Sequence, residues 1–256
     1  MTPNLTSSFV LGFANNVPLR LDLSLPDGTT TVHEILPAIF TVAEAIHARS
    51  AASLATRGKP VTCGPGCGVC CHQLVPISQW EAVHLAKVVR SMDTVKRSRI
   101  IARFTSGISK LEQSGLLGPL NSTYANDVNN QSRLLELKTA YWNLKIPCPF
   151  LEENSCSIHP HRPLSCRQYM VTSAPHHCAN IYSSEAAHEV VTHPVDIGGA
   201  LASFSGKGLQ HSRVLPHIFS LLAERSIRAI KAPTLPAPQM IGRFLDCMAT
   251  CFSQKD

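Results

Sequence analysis

The sequence predicts a mainly α fold, with helices packed around a cysteine-rich metal-binding centre and a small N-terminal β-hairpin. Three observations carry that expectation. Apolar residues recur at helical spacing in successive stretches. Hydrophobic residues make up 44% of the 256-residue chain, enough to bury a sizeable core. Most of the ten cysteines fall in two segments with little period of their own, the first rich in Gly and Pro and the second containing Pro and His.

The elements are expected in the following order. Val17 to Leu25 alternates apolar and polar residues through Leu19, Leu21, Leu23 and Leu25. It then meets Pro26-Asp27-Gly28 and a Thr-rich run ending at Val32, which reads as a hairpin. From Glu34 to about Thr56, Ile35, Ile39, Val42, Ala43 and Ile46 mark a helix stopped by Gly58-Lys59-Pro60. Ser78-Gln-Trp-Glu81 is a capping box, so a helix is expected over 79–91. A second runs over 94–113, ending at Gly115. After a polar loop from Asn121 to Asn130, a third carries Leu134, Leu137, Tyr141 and Trp142 to Pro147. Between Ile146 and Cys178 the chain reads as a loop ordered by metal. Helices are expected over 183–191 and 213–230, with Gly198-Gly199 and Ser205-Gly206-Lys207-Gly208 as loop or hinge. Pro233, Pro236 and Pro238 make a stiff linker to a last helix over 239–252. Three units follow: a hairpin and helix over 1–60, a cysteine-cluster metal-binding domain over 61–232, and a Pro-rich linker with C-terminal helix over 233–256.

Composition narrows the function classes. Charged residues are 16% of the chain, below the roughly 25% of typical soluble proteins. No apolar run approaches the ~20 residues that span a bilayer, so a membrane is not an expected partner. The stretch from Met1 to Phe13 lacks the basic and apolar regions of an export signal, and the expected location is the cytoplasm. The net charge is +6. The basic residues are nonetheless scattered, and Lys96-Arg97-Ser98-Arg99 reads as a solvated helix face rather than a nucleic-acid patch. A reducing compartment disfavours disulfides, which leaves metal binding or redox chemistry as the use of so many thiols.

The first cysteine group is Cys63-Gly-Pro-Gly-Cys67-Gly-Val-Cys70-Cys71, in which glycine and proline let the backbone curl so that sulfurs converge. The second comprises Cys148, Cys156, Cys166 and Cys178. Together they offer eight soft thiolate ligands, suited to zinc or to an iron–sulfur cluster. The gaps of the second group lack the paired knuckles of zinc ribbons, and adjacent Cys70 and Cys71 diverge more comfortably around a several-iron object. An iron–sulfur cluster is therefore favoured over Zn2+. Although 76 residues separate Cys71 from Cys148, the two groups are expected to meet, because neither can order itself by apolar burial.

This pattern, C-x3-C-x2-C-C followed by Cys148-Pro-Phe-Leu, Cys156-Ser-Ile-His159, Arg162-Pro-Leu-Ser-Cys166-Arg167 and Cys178, resembles the YkgJ-like cysteine-cluster family. The resemblance covers about 63–178. It implies chelation of zinc or iron by the eight cysteines, without fixing a reaction; a similar cluster accompanies flagellin lysine methylases. His159 stands where many members have an aromatic residue.

Other residues are weighed beside the cluster. Arg162 and Arg167 flank Cys166 and could balance thiolate charge or donate to sulfur. His159, His161, His176, His177, His188, His193, His211 and His217 show no zinc-protease spacing and read as surface or capping side chains. Cys247 and Cys251 share one face of the last helix and read as packing. The leading function is a structural, redox or binding metalloprotein. The alternatives are a radical-SAM-like enzyme using Cys63, Cys67 and Cys70, or a methyltransferase-like enzyme with the cluster as scaffold.

Overall fold

The computed structural model describes residues 4–12, 18–183, 188–206, 214–228 and 232–252. It is mainly helical, with an antiparallel N-terminal hairpin. Strand β1 (Asn4–Leu11) pairs along its length with β2 (Leu19–Pro26). The alternation of β2 sends Leu21, Leu23 and Leu25 inward, each burial contributing about 1.5–3 kcal/mol. The Thr-rich run does not pair with β2 as the sequence suggested. Pro26-Asp27-Gly28 is a corner, with Gly28 at φ +88°, after which β3 (Thr29–Thr30) pairs with a strand near the other end of the chain.

Helix α1 (Leu36–Thr56) starts with Pro37 in its first turn and buries Leu36, Ile39, Val42, Ala43 and Ile46. Then come β4 (Pro76–Ser78) and α2 (Gln79–Ser91), whose capping box is complete: Ser78 Oγ accepts from Glu81 N, and the Glu81 carboxylate accepts from Ser78 N. Asp93 caps α3 (Thr94–Gln113). The Asn-rich stretch after it forms α4 (Leu117–Asn126) rather than a loop over its whole length, because Leu120 and Tyr124 lie one turn apart and are buried, which outweighs the weak helix propensity of Asn121 and Asn126. Asn130 caps α5 (Gln131–Asn143), which ends before Pro147.

The segment expected as one metal-ordered loop contains a miniature hairpin, β5 (Leu151–Glu152) and β6 (Ser155–Cys156), then the short α6 (Leu164–Gln168). Of the helix expected over 183–191, the described residues, 183 and 188–191, are not helical. Residues 184–187 lie outside the described set, and 188–191 run extended, with Val190 bridging Val171 and Val191 N donating to Met170 O. Gly198-Gly199 sits inside α7 (Ile197–Ser203), where Asp196 accepts from Gly199 N and offsets the glycines' poor propensity. Of the next expected loop, Lys207 and Gly208 lie outside the described residues.

The helix expected over 213–230 instead opens as β7 (Val214–Pro216), antiparallel to β4, and continues through a 3-10 turn into α8 (Ser220–Arg228). Pro216 removes a helical donor and favours the extended start. Arg213 and residues 229–230 lie outside the described set. The expected linker contains β8 (Leu235–Pro236), the partner of β3, and α9 begins earlier than expected (Ala237–Cys251), with Pro238 in its first turn.

Two apolar cores result. One joins β2, α1, α7 and α9 through Leu25, Ile39, Leu201 and Phe244. The other joins α2, α3, α4, α5 and the segment around β7 through Leu85, Phe104, Leu120, Leu137 and Ile218. The cysteine-rich segment touches both: Cys148 and Cys156 pack on the second, while Leu164, two residues before Cys166, is buried in the first. Trp80 on α2 also reaches the first core, its indole donating to Phe204 O at 2.8 Å.

Two predictions follow from this packing. The buried Glu81 carboxylate accepts from Ser78 N and Ser78 Oγ at 2.8 Å and from Leu164 N at 2.7 Å. Glu81→Gln should cost about 2–3 kcal/mol in urea unfolding, because its amide presents donors where donors already point. His217 is buried between Phe104 and Phe150, and burial pulls its pKa down to about 4. Below the ordinary histidine pKa the unfolded chain takes up a proton that the folded chain refuses, so stability falls as pH falls toward 4. Between about pH 6.5 and 5 this share amounts to about 2 kcal/mol. His217→Phe should flatten the urea midpoint by that amount across the interval.

Candidate metal centre

The first cysteine loop is shaped by its own turns. Cys67 N donates to Gly64 O at 3.2 Å, with Gly66 at φ +83°, and a 3-10 turn over Val69–His72 carries Cys70 and Cys71. Gly68 is required by proximity: a Cβ there would lie 2.8 Å from Leu151 Cδ1 and 3.1 Å from Asn154 O. The loop therefore sits directly on the β5–β6 hairpin, whose tip, Glu153 and Asn154, turns with φ +48° and +59°.

Backbone contacts join the two groups. Cys148 N donates to Cys71 O at 2.7 Å, and Gly66 N to Ser155 Oγ at 3.2 Å. Thr62 N donates to Val171 O at 3.0 Å, and Val171 N donates in return to Cys63 Sγ at 3.4 Å. Cys166 is placed by α6, whose Leu164 N is held by Glu81 and whose Ser165 Oγ donates to Pro76 O at 2.7 Å. Cys178 lies on a 3-10 turn over Pro175–Asn180 beside the first loop. The expected meeting of the two halves is thus observed.

The thiols also perturb one another. Hydrogen bonding with the adjacent Cys71 side chain, then burial, drives the Cys70 thiol far above its ordinary pKa. Burial raises Cys148 and Cys166, reinforced in both by Cys156 and Cys70. Cys178 is pushed up to about 11 by burial and then by Cys63, Cys70 and Cys67. Cys63 and Cys156 rise chiefly through burial. Cys70 recurs in each of these sets, so its charge would be felt by thiols of both groups. All eight cysteines are free thiols; Cys63 is exposed and Cys178 buried, with the others half-buried.

The flanking arginines divide. Arg162 lowers the pKa of Cys63, Cys70, Cys156 and Cys166, and its Nε is buried with no hydrogen-bond partner. Arg167 turns the other way. It is 3% exposed, pairs with Glu44, donates to Pro160 O and to Arg162 O, and lies 4.2 Å from the centre of the Phe40 ring. Its guanidinium fastens α6 to α1 and donates to no sulfur, while its charge lowers the Cys156 pKa, so of the two expected roles only charge balance is seen.

The donor chemistry fits a thiophilic metal. The two cysteine-bearing segments touch, a buried Arg162 N–H lacks an acceptor beside them, and the raised pKa values of Cys63, Cys70, Cys148, Cys156, Cys166 and Cys178 are of the kind a bound cation reverses. As the side chains stand, no three Cys, His, Asp or Glu among the described residues are spaced to hold one ion. Ligation would need cysteine χ1 rotations between staggered wells.

The histidines are dispersed. His161 Nδ1 is 3.3 Å from His84 Nε2, and the rings of His176 and His177 lie 4.2 Å apart. His193 and His217 are buried rather than at the surface, because a neutral imidazole packs against other rings, as His217 does against Phe104 and Phe150. His193 bonds Gln168 O at 2.9 Å and lies 4.4 Å from the His47 ring. His211 is outside the described residues. Cys247 packs against the N-terminal core and Cys251 is exposed. Sequence reasoning missed a cavity of about 500 Å3 lined by Cys70, Cys166, Lys138 and Tyr169. Lys138 precedes Trp142 by one turn, a weak signal in a charged helix.

No helix among the described residues is long and apolar enough to cross a membrane. Comparison with curated proteins and with solved structures finds no match. Residues 62–187, about half of the chain, match the family model CxxCxxCC, described as "Putative zinc- or iron-chelating domain". Through this segment the chain belongs to the CxxCxxCC family.

Proposed function

We propose that this is a metal-binding protein in which Cys63, Cys67, Cys70, Cys71, Cys148, Cys156, Cys166 and Cys178 hold one metal centre with a structural, redox or binding role. The carrying observation is the hydrogen-bonded docking of the two cysteine-bearing segments, Cys148 N on Cys71 O and Val171 N on Cys63 Sγ. Iron–sulfur chemistry is favoured over zinc, because donors spread over five short segments suit a several-iron object better than two closed tetrahedra. Bound metal would supply the charge that keeps the thiolates ionised. Arg162 would donate from Nε to sulfur and offset the remaining negative charge.

A second reading, a modification enzyme with the cluster beside its site, is favoured by the cavity that shares Cys70 and Cys166. Its radical-SAM-like form has less support. The strands described pair antiparallel in twos, whereas that chemistry is housed in parallel β/α repeats.

Protein purified without oxygen should carry iron and acid-labile sulfide, with a broad visible absorption that bleaches on reduction. A colourless protein with zinc would replace the redox reading by a zinc-stapled one. Cys67→Ser and Cys148→Ser should each lose most of the metal, as measured by elemental analysis. Cys247→Ser should retain it, and equal loss would bring α9 into the centre. Arg162→Gln should keep the fold but release metal faster to a chelator.

A further inference from the structure

The cavity beside Cys70 and Cys166 has two kinds of wall. Leu74, Val75, Val191 and Val195 give it an apolar side. Against them stand two donors without an acceptor. Lys138 is half-buried, has no salt bridge or hydrogen bond among the described residues, and has its pKa lowered by burial. The Tyr169 hydroxyl is buried with no partner at bonding distance, the Gln73 side chain lying nearby. An ammonium and a phenol left unpaired in an apolar recess are costly unless something accepts from them.

The acid on the same wall does not supply that acceptor. Asp196 Oδ1 already accepts from Gly199 N at 3.0 Å and from Gln168 Nε2 at 3.2 Å, while Gln168 O is bonded by His193. Asp196 makes no ion pair with Lys138 among the described residues, and His193 Nδ1 is itself buried without a partner. The Lys138 ammonium and the Tyr169 hydroxyl together call for an anion, and the volume of about 500 Å3 is that of a small-molecule site rather than of an inorganic ion.

We infer that this cavity binds an organic carboxylate with an apolar body, its carboxylate accepting from Lys138 and Tyr169 and its body lying on the valine and leucine wall toward Cys70 and Cys166. The inference rests on the chain's own donors and not on which metal the cysteines hold. It deepens the second reading above by giving that site a ligand class.

Calorimetric titration of the native, metal-bearing protein with hexanoate, hexan-1-ol and inorganic phosphate tests it. Hexanoate should bind saturably, about tenfold more tightly than hexan-1-ol, the ratio expected of a charge-assisted hydrogen bond in a recess. Phosphate should not compete at equal concentration. Lys138→Met should bring the hexanoate-to-hexanol ratio to about one, and Tyr169→Phe should weaken hexanoate several-fold while leaving hexanol unchanged. Metal content measured on the same samples should be unaltered in both variants, so that loss of ligand is read separately from loss of the centre. Absence of saturable hexanoate binding, an unchanged ratio in Lys138→Met, or tighter binding of phosphate than of hexanoate would each overturn the inference.

Discussion

The arrangement of this protein depends on one buried carboxylate. Glu81 closes the capping box of α2 with one oxygen and with the other receives Leu164 N, 83 residues further along the chain. A single side chain thereby fixes the entry of the helix that spans both apolar cores and the start of α6, on which Cys166 is carried. Burial raises the Glu81 pKa while its three donors and Arg167 oppose the rise, so the group is held by geometry rather than by solvation. Arg167 extends the same junction to Glu44 on α1. The second cysteine group is thus positioned by polar contacts between helices before any metal is considered.

The cysteine centre shows the complementary problem. Burying several thiols near one another makes each harder to ionise, because every thiolate would lose water and face others of its kind. Arg162 relieves part of this at Cys63, Cys70, Cys156 and Cys166, and one guanidinium cannot balance eight thiolates. The chain supplies a scaffold whose favourable state needs additional positive charge. Arg167, though adjacent to Cys166, uses its donors in anchoring α6 and reaches the thiols only through its charge at Cys156, whereas Arg162 acts on four of them.

What the sequence made legible was local. The capping box at Ser78 and Glu81, the helical periods of α1 and α3, and the cysteine spacing all rest on contacts within a few residues, and each appears in the structure. The partners of β2 and β3 were not legible, since β3 pairs with β8 across the whole chain and its two residues carry no pattern. The Asn-rich α4 and the glycines of α7 were misread because burial of Leu120 and Tyr124, and capping by Asp196, override propensity. At the candidate site, the eight cysteines could be named from spacing and resemblance. Lys138 and Tyr169 could not, because they meet only once α5 and the segment after α6 are folded together.

The hydrogen bond from Cys148 N to Cys71 O joins the edges of an interval that contains α2, α3, α4 and α5. On a ribosome adding about 5–20 residues per second, roughly 5–20 s pass between the appearance of Cys71 and that of Cys178. During that time the first four thiols are present without their counterparts, on a flexible glycine loop open to oxidants and to other soft metals. The helices of the interval can pack before the second group emerges, since their core is largely their own. The helical core of this interval can therefore be built before the two cysteine groups are brought together.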